Sequence, residues 1–98
     1  MNTLDENRKI IDDVDSQLTR LFEQRFAAVE QIMRYKLANG LAVLDAKREA
    51  ELVERRRKEL PEELQPYFQM FYTALLGASR QYQSDRMKEE EDGGVSCG

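Results

Sequence analysis

Residues 3–38 read TLDENRKIIDDVDSQLTRLFEQRFAAVEQIMRYKLA, with neither proline nor glycine. Within them Leu4, Ile11, Val14, Leu18, Leu21, Ala28, Ile32 and Tyr35 recur in steps of seven, three and four. That spacing draws one apolar stripe along a helix. Thr3-Leu4-Asp5-Glu6 fits a capping box at its start, and Asn39-Gly40 supplies residues that tolerate the left-handed conformation closing a helix. About 35 residues at 1.5 Å each make a rod of roughly 50 Å. The remainder of a 98-residue chain is too short to cover such a rod. The stripe has one fault: at position 25 the register calls for an apolar residue and the chain places Arg25. A guanidinium in an apolar seam costs several kcal/mol unless an anion and hydrogen bonds meet it. The anion is either a side-chain carboxylate or a ligand.

Working outward, Leu41–Leu44 is a short linker and Asp45 can cap a second helix over about Ala46–Lys58. Leu60-Pro61 breaks it, because proline lacks the N–H donor and clashes with the preceding turn. Glu62–Gln65 reads as a turn, and Pro66 suits the first position of a third helix. That helix is expected to reach about Met87, with Phe68, Phe71, Tyr72, Leu75, Leu76 and Ser79 along one side. Residues 1–88 thus form one helical domain. Residues 89–98, which include Glu89-Glu90-Glu91-Asp92-Gly93-Gly94, carry too much charge and glycine to order themselves and are expected to be a disordered tail. No alternating run suggests a strand. The fold class is all-α, with one long and two shorter helices. A chain this short buries only about 60% of its unfolded surface, so the exposed stripe calls for a partner, most simply a second copy of the chain.

Composition excludes several chemistries. There is no histidine and one cysteine, Cys97, which rules out histidine-based triads, histidine metal sites and a disulfide framework; no cofactor is expected. The net charge of −4 offers no broad basic face for a nucleic acid or a membrane, so anion binding must be local. The N-terminus is polar from Asn2 to Lys9, with no signal-like apolar run, and the chain reads as cytoplasmic.

Several polar residues fall where the helical pattern permits a shared site. Lys36 follows Arg25 by 11 residues, which returns it to within about 20° of the same face, about 16 Å further along. Arg8 lies about 100° round the helix and about 25 Å from Arg25; it cannot serve the same small pocket in one chain, though it could reach a partner's. Asp45, Arg48 and Glu49 share one face of the second helix at i, i+3, i+4. Ser79 and Gln83, at i, i+4, continue the apolar stripe of the third. Each has a plainer reading. Asp45 serves as a helix cap, Lys36 complements a helix dipole, and Arg48 makes a surface ion pair worth under about 1 kcal/mol.

As an ordered set, Arg8, Arg25, Lys36, Asp45-x-x-Arg48-Glu49 and Ser79-x-x-x-Gln83 resemble the all-helical chorismate mutases, over about Thr3–Gln83. The resemblance implies an intertwined homodimer with two shared active sites that converts chorismate to prephenate by a [3,3] rearrangement. It implies that Arg25 and the other chain's Arg8 grip the substrate carboxylates, and that Lys36 contacts a carboxylate and the ether oxygen. Gln83 would donate to that oxygen, and Glu49 would accept from the ring hydroxyl beside Asp45. Arg48 and Ser79 would complete the polar shell. The loop before Asp45 departs from the family pattern, holding Ala42 where a proline is common. No fused second enzyme or regulatory domain is expected. Two other readings fit the residues less fully: an isochorismate-pyruvate lyase on the same scaffold, and a non-catalytic dimerisation module in which Arg25 pairs with a carboxylate such as Glu49.

Overall fold

The computed structural model describes residues 2–96. They form α1 (Thr3–Ala38), α2 (Ala46–Arg57), a 3₁₀ turn over Glu62–Leu64, and α3 (Gln65–Ser96). No strand occurs among the described residues. The start of α1 differs from expectation by one residue. Asn2, not Thr3, is the cap, its Oδ1 accepting from the Asp5 amide at 2.8 Å. Both residue types cap well, and Asn2 satisfies the amide three residues on. At the other end only Gly40 is left-handed, at φ 63°; Asn39 has φ −108°. The turn from Glu62 to Gln65 proves to be the 3₁₀ turn plus the first residue of α3, so Pro66 stands second in that helix.

Cross-helix contacts fix the topology. Arg25 meets Ser79, Glu30 meets Arg86 and Arg34 meets Glu90. Both sets of numbers rise together, so α1 and α3 run parallel. Between α2 and α3 the pairs are Glu49 with Arg80 and Arg57 with Gln65, so α2 is the antiparallel return. The core is small. Among the described residues Val29, Met33, Tyr72 and Leu76 are its buried apolar members, and only Met33 is wholly enclosed. It lies between the C-terminal half of α1 and the middle of α3. Phe26 meets Tyr82 edge-on at 5.2 Å between centroids, next to this core.

The α3 helix outruns the expected end near Met87. The glutamates assigned to a disordered tail find cations instead: Glu89 pairs with Arg86 at 3.0 Å, and Glu90 with Arg34 of α1 at 2.8 Å. Carboxylates held by arginines one turn back and across the groove no longer oppose helix formation. Glu30 anchors the same ladder. A hydrogen bond from Arg86, then one from Arg34, holds its carboxyl below its ordinary pKa. Cys97 lies outside the described residues.

Among the described residues nothing covers the N-terminal half of α1. Leu4, Ile10, Ile11, Val14, Leu18 and Leu21 are each about half exposed, from 47% to 58%. Between Leu18, Leu21 and Phe22 on one side and Phe71 and Leu75 on the other lies an apolar hollow of about 380 Å³. No helix among the described residues is long and apolar enough to cross a membrane.

Candidate active site

The stripe on α3 is apolar at Tyr72 and Leu76 and polar at Ser79 and Gln83, yet all four side chains are buried. The last two are the only buried polar residues among those described. They face a cavity of about 340 Å³ bounded by all three helices and the α1–α2 loop. Arg25 and Lys36 line it from α1, Asp45, Arg48 and Glu49 from the start of α2, and Ser79, Arg80 and Gln83 from α3. Val29, Ile32, Leu52 and Leu76 supply its apolar wall.

Seven of the expected site residues therefore come together. Arg8 does not. It stands exposed on α1, about 25 Å along the axis from Arg25. One residue was missed: Arg80 also lines the cavity. Its sequence signal was a charge one position after Ser79, which a strict i, i+4 reading of the stripe passes over.

The hydrogen bonds show what each group has left to offer. Arg25 Nη1 donates to Ser79 Oγ at 2.7 Å. No carboxylate among the described residues pairs with Arg25, and Glu49 pairs with Arg80. Lys36 Nζ donates to the Val43 carbonyl at 2.8 Å. An ammonium has three N–H bonds, so Lys36 steadies the loop and keeps donors to spare. With this tie and the Leu41 amide on the Lys36 carbonyl at 2.8 Å, the loop is anchored without a proline at position 42. Gln83 Nε2 donates to the Ser79 carbonyl at 3.3 Å, while its buried Oε1 has no partner. A buried amide oxygen without a partner is uncommon and costs about 1–3 kcal/mol.

Asp45 performs two tasks. Its Oδ1 accepts from the Arg48 amide at 3.0 Å as the cap of α2, and its side chain edges the cavity. Arg48 is exposed and makes no side-chain ion pair with Asp45 or Glu49 among the described residues. Lys36 likewise sits in the last turn of α1, where it complements the helix dipole.

The charge of the lining is opposite to that of the chain. Arg25, Lys36, Arg48 and Arg80 face Asp45 and Glu49, a surplus of two positive charges in a protein of net charge −4. Such a cavity suits a small dianion that also carries a hydrogen-bond donor.

Comparison with known proteins adds one finding and two absences. No curated protein and no solved structure matches the chain. The model of the type II chorismate mutase family matches residues 7–84, a span reaching from just before Arg8 to just past Gln83. By that match, over most of its length, the chain belongs to the type II chorismate mutase family.

Proposed function

We propose that the protein converts chorismate to prephenate by a [3,3] rearrangement, as a homodimer whose two sites each take Arg8 from the other chain. The observation that carries the reading is the cavity, where Arg25, Lys36, Glu49 and Gln83 converge with a surplus of two positive charges. A sigmatropic rearrangement needs no nucleophile, metal or proton transfer. A C–O bond breaks and a C–C bond forms within one molecule. The demands are a substrate held in a compact chair and stabilisation of charge on the departing ether oxygen.

Arg25, together with the partner's Arg8, holds the two carboxylates and so supplies orientation in advance of the reaction. Lys36, through its spare N–H groups, and Gln83, through its second amide N–H, donate to the ether oxygen. These bonds strengthen as negative charge builds there, which lowers the barrier rather than only tightening binding. Glu49 accepts from the ring hydroxyl, with Asp45 near it; Arg48 and Ser79 complete the polar wall. A millionfold acceleration requires about 8 kcal/mol, and one well-aimed donor contributes about 3–4 kcal/mol of such a total.

The exposed stripe on α1 and the hollow against Phe71 and Leu75 support a second copy as the covering element. Arg25 lines both that hollow and the polar cavity, so a helix seated in the first would bring its side chains to the second. The test is loss of chorismate absorbance with the product identified, and isochorismate assayed in parallel. Prephenate formation is the expected result. Pyruvate release from isochorismate without any prephenate would overturn the reading.

A further inference from the structure

The second helix carries two of the cavity's charged residues, Arg48 and Glu49, with a third, Asp45, as its cap, yet it is poorly held. No residue of α2 is buried. Among the described residues two side-chain hydrogen bonds, one near each end, tie it to α3. At the far end Arg57 Nη1 donates to Gln65 Oε1 at 2.7 Å. At the cavity end Arg80 Nη1 donates to Glu49 Oε1. That bond is the only ion pair between α2 and α3 among the described residues. Arg80 reaches it by lying back over the preceding turn of its own helix. A Cβ at Gly77 would stand in ordinary van der Waals contact with Arg80 Nη2, at 3.6 Å, so the guanidinium lies alongside that turn.

We propose that Arg80 is a positioning residue. It latches α2 onto α3 and aims the Glu49 carboxylate into the cavity, leaving Glu49 Oε2 to accept from the ligand hydroxyl. This rests on the proposed reaction for its kinetic consequences but not for its structural ones. The geometry favours this role over direct ligand contact, because the Arg80 guanidinium is already engaged with Glu49 while Arg25 and Lys36 keep donors free of any carboxylate. Arg80 also accounts for the local charge. It neutralises Glu49, so the ligand's carboxylates meet cations without meeting an unscreened anion beside them.

The test is a double-mutant cycle with R80Q and E49Q, alongside R80K, on the intact protein. R80Q is expected to lower kcat/KM about tenfold, within the usual range for coupled charged neighbours, with R80K intermediate. R80K keeps the charge but loses the fork, and it also serves should R80Q fold poorly. In an E49Q background, R80Q should change kcat/KM less than twofold, because its target is already gone. Equal and additive losses in both backgrounds would overturn the latch and make Arg80 an independent ligand contact. Amide hydrogen exchange gives a readout that needs no activity. Residues 46–57 should exchange faster in R80Q than in the parent, while residues 25–38 keep their protection. Unchanged exchange over residues 46–57 would overturn the proposal even in an active enzyme. An inactive parent with a loosened α2 in R80Q would sink the proposed reaction and leave the latch standing.

Discussion

In the proposed reaction, Gln83 carries much of the demand in one side chain. It is buried, half-satisfied, and lines a cavity whose other donors are cations and the Ser79 hydroxyl. Removing its amide takes away a neutral donor without disturbing any ion pair. Gln83→Ala is therefore expected to lower kcat/KM at least about a hundredfold, with the far-UV circular dichroism of the parent retained. Lys36→Ala should lose as much and in addition release the Val43 carbonyl, so its loop should become more sensitive to proteolysis. Near-parental turnover in either variant would count against the assigned roles. The same residues set the pH response. The chain has no histidine, the side chain that ordinarily titrates near neutrality, and an amide does not titrate. The rate should accordingly stay nearly flat between about pH 6 and 8, and a bell centred near 7 would exclude this site.

At the level of the elements, local rules placed the helix starts to within a residue, the cap of α1 falling on Asn2 rather than Thr3 and Pro66 standing second rather than first in α3. Asp45 was readable as a cap because an acidic residue before a helix has an amide to bind, and it does so. Gly40 was readable as a stop because only glycine adopts its φ freely. The end of α3 was not legible. Its glutamates look like a solvated run until the parallel placement of α1 and α3 brings Arg34 against Glu90, and no local pattern announces a contact across more than 50 positions; the pair of Arg86 with Glu89, three residues apart, is local but is outweighed in the sequence by the run of charge and glycine. Arg80 was hidden for the same reason, since its value depends on Glu49 lying opposite. The ladder makes a prediction for stability. Glu30 has its carboxyl pKa lowered in the folded state by Arg86 and Arg34. Its stabilising contribution is thus present above the ordinary glutamate value of 4.5 and lost as pH falls through the lower folded value. In thermal melts, Arg86→Gln should lower Tm at pH 7 and make Tm fall less steeply below pH 4.5 than in the parent. A parallel acid decline in both proteins would remove the ladder from the account.

As a whole molecule, the chain is extended. Its Cα radius of gyration is 17.8 Å and its extents are 62 × 30 × 15 Å, whereas a compact domain of this length has a radius of about 13 Å. Such a shape, with an apolar stripe along its longest edge, supports the proposed pairing of two copies. If sites are shared, two crippled chains can repair one another. Arg8→Ala and Arg25→Ala proteins should each be inactive, and mixing them with subunit exchange should restore activity, because one site of each heterodimer regains both arginines. Exchange without any recovery would refute a shared pocket. The buried stripe of α3 has a last consequence. Its apolar members, Tyr72 and Leu76, and its polar members, Ser79 and Gln83, lie in one row, so hydrophobic replacements at 79 and 83 would extend the interior rather than breach it. Selection for heat resistance alone should enrich aliphatic residues at those two positions, and the survivors should be sturdier proteins that have lost turnover.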